Sequence, residues 1–213
     1  MLKKFLLNHK EIWKDKSFIA SAVLSLLFLA LSLFINYHAG VYANSSQSNS
    51  VSDILLDHLP IYNVDFIFFE GFSLLLISVL LIIIYKPRTI PFTLKSLSLF
   101  IFIRSIFITL THLKEFPQRA FLDPNNIFQN VFTFGGDLFF SAHTGLPFLM
   151  ALLFWKDKRL RLLFLTASIF FGVSVLLGHL HYSIDVFAAY FITYSIYKIT
   201  QSIFRKDYNY SGL

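Results

Sequence analysis

Residues Phe66–Tyr85 read FIFFEGFSLLLISVLLIIIY, an apolar run with one charged residue, Glu70. At about 1.5 Å per residue such a helix spans about 30 Å, the thickness of a bilayer's hydrocarbon core. Outward from it, five further runs have the same character: Phe18–Ile35, Phe92–Leu113, Leu138–Trp155, Leu160–Leu177 and Ile184–Phe204. Backbone groups in lipid must be paired within helices or a closed barrel, and these runs lack the alternation of barrel strands. The expected fold is an all-α integral membrane protein with six transmembrane helices. A basic segment at 1–17 precedes one membrane domain at 18–204, and a short tail follows at 205–213. Of the 213 residues, 56% are hydrophobic and only 14% charged, which excludes a soluble enzyme, a secreted disulfide domain and a disordered chain. With no cysteine there is no disulfide framework, thiol nucleophile or zinc–thiolate site.

The charges give an orientation. All but three of the 18 basic residues precede the first run, lie between or just inside the second and third or the fourth and fifth, or lie at or beyond the end of the sixth. By the positive-inside rule both termini are cytoplasmic, and the net charge of +6 is a topology signal with no nucleic acid partner implied. A cleaved signal peptide is disfavoured, since the first run is too long for one and its loss would break the even span count. Asn44–Ser50 (NSSQSNS) reads as a flexible outer loop. The expected location is the plasma or inner membrane of a bacterium, or the Golgi or plasma membrane of a eukaryote.

On this topology six of the seven histidines fall at the outer side, with Asp53, Asp57, Asp65, Glu115, Asp123, Asp137 and Asp185. Glu70 and Arg104 lie just inside outer ends of spans, where a charge faces a partner or a wet cavity. They either pair with each other or belong to a polar pocket that opens outward. Two clusters stand at that level, Gly135-Gly136-Asp137-Leu138-Phe139-Phe140-Ser141-Ala142-His143-Thr144-Gly145 and Gly178-His179-Leu180-His181-Tyr182-Ser183-Ile184-Asp185. His181 and Asp185 are four apart and share a helix face, so the carboxylate can orient the imidazole as a nucleophile. His143 supplies an acid/base from another helix. Ser141 is expected to cap that helix and expose its first amides to an anion, with Pro147 marking a kinked or late-starting helix. The same histidines and aspartates also allow a divalent metal, although that leaves the phosphate-binding features unexplained.

These residues resemble the type-2 phosphatidic acid phosphatase superfamily, most closely its sphingomyelin synthase branch. The first motif of that branch, Gly-Asp-x-x-x-Ser-Gly-His-Thr, is matched by Gly136, Asp137, Ser141, His143 and Thr144, with Ala142 in place of glycine. The second is matched by His181, Tyr182, Ser183, Asp185, Val186, Ala189 and Tyr190. Arg104 is similar to the arginine of the third span, and Asp53–His58 to the first outer loop. The resemblance implies a mechanism without metal or cofactor, on the non-cytoplasmic side. In it His181 attacks phosphorus, Asp185 orients it, and His143 protonates the departing alcohol before acting as base. Arg104, Ser141, Thr144, Asp137, Glu70 and Tyr182 are the expected phosphate- and headgroup-binding residues.

Hydrolytic members carry Lys-x6-Arg-Pro and a Ser-Arg pair, whereas here Phe102-Ile103 follows Lys95 at that spacing and Val175 follows Ser174. A phosphomonoester calls for several fixed cations, and one arginine amid carboxylates suits a phosphodiester with a cationic headgroup. The expected activity is therefore transfer of a phospho-headgroup from a glycerophospholipid to ceramide or diacylglycerol. A hydrolase using water at the same site is the alternative, and a non-enzymatic carrier or metal-binding membrane protein is a third reading. Sidedness is checked directly, because the chain has no cysteine of its own. A membrane-impermeant maleimide is expected to label Ser48→Cys in intact cells and Lys158→Cys only after permeabilisation.

Overall fold

The computed structural model describes residues 9–122 and 137–213. Gly135, Gly136, Asp123, Lys3 and Lys4 lie outside the described residues. Among the described residues the regular structure is helical. In chain order the helices are α1 (Lys16–Ser45), a π-helical turn (Ile67–Gly71) leading into α2 (Phe72–Tyr85), a 3-10 turn (Pro87–Thr89) leading into α3 (Ile90–Leu110), α4 (Ala142–Leu153), α5 (Lys158–Leu177), α6 (Ser183–Ile203) and α7 (Arg205–Ser211). Four of these stretches are long and apolar enough to cross a membrane: Lys16–Ser45, Ile67–Tyr85, Pro87–Leu110 and Lys158–Leu177. Their outward faces carry bare hydrocarbon, as at Phe34, Leu74, Leu81, Leu162 and Ile169, each more than half exposed.

The boundaries differ from the hydropathy reading in ways that have local causes. Asp15 caps α1, its carboxylate accepting from the amides of Ser17 and Phe18. At its other end α1 runs on to Ser45, so the expected loop Asn44–Ser50 begins within the helix. The run expected over Leu138–Trp155 yields a helix of only 12 residues, Ala142–Leu153. Hydropathy counts the side chains of Leu138, Phe139 and Phe140, but Ser141 starts the helix after them with its backbone extended. At about 18 Å this helix is shorter than a bilayer core. The tail expected at 205–213 is largely helical as α7.

α1 and α3 pack along each other. The buried face of α1 is made of small residues, among them Ala22, Ser25, Ser32, Ala39 and Ala43, which let two backbones approach closely where lipid offers no hydrophobic drive. The short α4 is the hub, packed by α5 and α6 and buried at ten of its twelve positions. Leu149, Met150, Leu153, Phe154, Phe164, Phe100 and Phe92 form the core around it.

The loops gather at two ends. At one end Lys86 bridges to Asp157 at 2.9 Å, and Lys156 donates to the Leu213 carbonyl. There too Lys95, whose side chain is 5% exposed, holds Asp207 of α7 at 2.6 Å and Ser21 of α1 at 2.8 Å. At the opposite end the segments 46–65, 111–122, 137–141 and 178–182 are joined by backbone bonds, such as Ser48 to His112 and Ala120 to Gly178. The Lys95–Asp207 pair yields a stability prediction. Asp207→Ala strands a buried ammonium and is expected to cost about 3–5 kcal/mol, whereas Lys95→Met with Asp207→Leu falls within about 1 kcal/mol of wild type. Thermal unfolding in detergent reads both.

Candidate active site

A cavity of about 350 Å³ sits at the end where the carboxylate-rich loops meet, with Arg104, Asp137, His143 and His181 all in its wall. Each arrives from a different piece of chain: α3, the segment before α4, the first turn of α4 and the residues before α6. Two backbone features bring the histidines to one depth. Ser141 caps α4, its Oγ accepting from the Thr144 amide at 3.4 Å. The Ser141 amide in turn donates to the Asp185 carbonyl at 3.1 Å, tying the two clusters together through the main chain.

The imidazole rings of His143 and His181 stand 6.5 Å apart, centroid to centroid. A phosphorus about 3 Å from a nucleophile, with its leaving oxygen in hydrogen-bond reach of an acid, needs a gap of that order. His181 Nδ1 faces Asp185 Oδ2 at 3.4 Å, without hydrogen-bond alignment. The Asp185 carboxylate is fully buried and also accepts from the Tyr182 amide at 2.9 Å, which seats it on the first turn of α6. His143 is stacked on Phe68 at 4.0 Å and against Phe72 at 4.1 Å. Its Nε2 lies 3.2 Å from the Phe68 carbonyl; a carbonyl only accepts, so this nitrogen carries the proton. Phe68 belongs to the π-helical turn, a departure from α geometry that often accompanies a site.

Arg104 is buried, and its guanidinium is spent largely on the segment before α4. Nε donates to the Phe140 carbonyl at 2.8 Å and Nη2 to the Asp137 carbonyl at 3.2 Å, while Nη1 meets Asp137 Oδ1 at 2.6 Å. It is thus a brace as well as a wall of the cavity. Other expected site residues lie differently. Glu70 is exposed on the π-helical turn and does not line the cavity. Tyr182 is buried, and its hydroxyl donates to the Lys114 carbonyl and accepts from the Val51 amide, which makes it a loop brace and takes it away from a headgroup. Thr144 is buried behind the cavity wall, its hydroxyl donating to Ser141 Oγ at 3.3 Å. His179 turns aside to the Gln118 carbonyl. Among the described residues no three His, Asp or Glu side chains converge in a way that would hold a metal ion.

The structure adds residues that spacing did not single out. Glu115 and Arg119 line the cavity mouth as an ion pair at 2.6 Å, and Asn36 of α1 reaches the wall. Burial pushes the Glu115 carboxyl above its ordinary 4.5, against the pull of Arg119. The one sequence signal for Arg119 was its position among the few cations on the basic-poor side. Deeper in, the wall becomes apolar with Phe72, Leu76, Leu97, Phe100 and Ile101. Beyond the cavity, burial works to raise the Asp53 carboxyl. The amide and hydroxyl of Ser183 and the amides of Leu55 and Leu56 outweigh it and hold the group below its ordinary 3.8.

In comparisons with known proteins, a family model described as PAP2 superfamily C-terminal matches residues 135–202. That stretch holds both histidine clusters and the helices between them, and the match supports the PAP2 superfamily, whose members are generally phosphatases. It is consistent with a lipid enzyme of the phosphatase or phosphotransferase type. No curated protein and no solved structure matches the chain.

One glycine next to the site must stay bare. A Cβ on Gly145 would lie 2.9 Å from a ring carbon of Phe100 and 2.9 Å from Thr193 Oγ1. Phe100 is buried at 1% exposure and forms cavity wall, so its ring can yield only into the cavity. Gly145→Ala is expected to cost about 1–3 kcal/mol in detergent unfolding and to lower turnover through the displaced wall.

Proposed function

We propose that this protein is a membrane lipid phosphotransferase that moves a phospho-headgroup from a glycerophospholipid to a lipid alcohol, ceramide or diacylglycerol. The observation that carries the reading is the cavity flanked by His143 and His181, polar at its mouth and apolar at depth. An apolar depth suits a lipid's hydrocarbon, and a polar mouth its phosphate and headgroup. In this reading six spans cross the bilayer, with α4 and α6 included, both termini are cytoplasmic, and the cavity opens at the outer leaflet.

In the first step His181 Nε2 attacks phosphorus, since Nδ1 faces Asp185. The P–O bond to diacylglycerol breaks, and His143, entering this step as imidazolium, gives the departing oxygen its Nε2 proton and is left neutral. The result is a phosphohistidine at His181. In the second step the acceptor hydroxyl attacks that phosphorus, His143 takes the hydroxyl proton, and the P–N bond breaks. Arg104 contributes one positive charge at the phosphoryl oxygens with the donors that its brace leaves over, and the amides opening α4 beside Ser141 add neutral ones. Asp137 and Glu115 offer carboxylates to a cationic headgroup. If water replaces the lipid alcohol in the second step, the same residues make a phospholipase-C-like hydrolase, to which the family match is equally favourable.

The test uses purified protein in mild detergent, headgroup-labelled phosphatidylcholine or phosphatidylethanolamine, ceramide and diacylglycerol as acceptors, and chelator throughout. Label is expected on a new lipid, unaffected by chelator and reduced about a thousandfold or more in His181→Ala. Label released to water, equally sensitive to His181→Ala, would make the protein a hydrolase. Turnover of phosphatidic acid with none of either phosphodiester would overturn the headgroup-transfer reading.

A further inference from the structure

The outer segment between α1 and α2 reaches the candidate site through one carboxylate. Asp53 is only 7% exposed, and its two oxygens face different parts of the chain. Oδ1 accepts from the amides of Leu55 and Leu56, at 2.9 and 3.2 Å, and so closes a turn of its own segment. Oδ2 accepts from the amide of Ser183, at 2.7 Å, across a sequence separation of 130 residues. Ser183 is the first residue of α6, and the first amides of a helix have no partner within it.

The next amide back, that of Tyr182, is held by Asp185 Oδ2, the same oxygen that faces His181 Nδ1. Two carboxylates therefore serve adjacent amides at one helix end. Without Asp53, the half-buried Ser183 amide would lose its acceptor one residue from the amide that Asp185 holds, and a donor shielded from water without a partner is costly. Asp185 would be drawn toward the helix end at the expense of the imidazole. The turn that Asp53 closes also places Leu56, 2% exposed, against Leu138 of the first cluster and Tyr182 of the second.

We infer that Asp53 is a positioning residue for His181, holding the Ser183 amide so that the Asp185 carboxylate stays available to the imidazole. Asp53 touches no reacting atom. The inference rests on the phosphotransfer reading of the site, and its test separates the two.

The test pairs Asp53→Ala with Ser183→Pro. Proline belongs at the first helical position, and Tyr182, at φ −67° and ψ 155°, already has the conformation a following proline requires. Ser183→Pro deletes the competing N–H without altering the Asp53 turn. Asp53→Ala is expected to lower kcat by roughly 10- to 100-fold while leaving KM within about twofold. Asp53→Asn, with one accepting oxygen left, should fall between. The decisive variant is Asp53→Ala with Ser183→Pro, whose kcat should return to within about threefold of wild type, a strong departure from additivity.

Asp53→Ala indistinguishable from wild type would overturn the inference, and so would a double variant as slow as Asp53→Ala alone. If Asp53→Ala does not fold, the same comparison is made with Asp53→Asn. A second readout needs no turnover: the imidazole ¹⁵N resonances of labelled histidine, with His181 assigned by His181→Ala. Asp53→Ala should shift the His181 signals, and adding Ser183→Pro should return them. Wild-type protein with no His181-dependent transfer from any lipid would remove the phosphotransfer reading, while the resonances would still decide the role of Asp53.

Discussion

A guanidinium cannot sit bare among hydrocarbon, and Arg104 answers that constraint by gathering backbone around itself. Its ion pair with Asp137 and its bonds to the Asp137 and Phe140 carbonyls fix the segment that leads into α4. Because those carbonyls are fixed, Ser141 is held where it can cap the helix, and His143 follows two residues later at a set depth. The same charge is thus both the anchor of the first cluster and the cation in the cavity wall. A neutral residue at 104 would remove more than a contact to an anion. It would release the segment on which His143 is mounted.

The second cluster is held by other means. Among the described residues no cation braces it; backbone amides and carboxylates do. Asp185 takes the Tyr182 amide, Asp53 takes the Ser183 amide, and the Asp185 carbonyl receives the Ser141 amide. The last of these joins the two clusters without a side chain, so the separation between the imidazoles is set by main-chain geometry. The ring of His143, sandwiched by Phe68 and Phe72, has its proton pointed at a carbonyl until another acceptor replaces it.

What the sequence made legible follows from how each feature is encoded. Apolar runs announce themselves residue by residue, so three of the four long apolar helices are legible within a few positions, whereas α1 runs ten residues past the expected Ile35 into polar sequence. The i,i+4 spacing of His181 and Asp185 is local too, and their side chains do meet, but across the start of α6 and not on one helix face, because His181 precedes the helix. The expected run Leu138–Trp155 overshoots α4 because hydropathy weighs Phe139 and Phe140 as membrane-spanning, whereas the expected Ser141 cap does mark where the helix begins. Glu70 and Tyr182 were drawn toward the headgroup by their neighbours in sequence, and the fold points one outward and spends the other on loop carbonyls and amides. Asp53 with Ser183 and Glu115 with Arg119 could not be assigned a place, the first because the partners are distant in sequence, the second because the cavity mouth is formed by loops. The π-helical turn leaves no compositional trace in FIFFEG at all.

The cavity wall also divides by origin. The histidines and the carboxylate behind His181 come from the stretch that begins before α4 and ends in α6, whereas Asn36, Phe72, Leu76, Leu97 and Ile101 come from α1, α2 and α3. Apart from Arg104 and the Phe68–Phe72 turn that seats His143, the histidines and most of the apolar lining therefore lie on separate lengths of chain. Substitutions at Asn36, Leu76, Leu97 or Ile101 can widen, narrow or repolarise the space a molecule must fill while leaving the braces of the imidazoles in place. A lineage built on this plan can change what it accepts one wall residue at a time around an inherited pair of histidines.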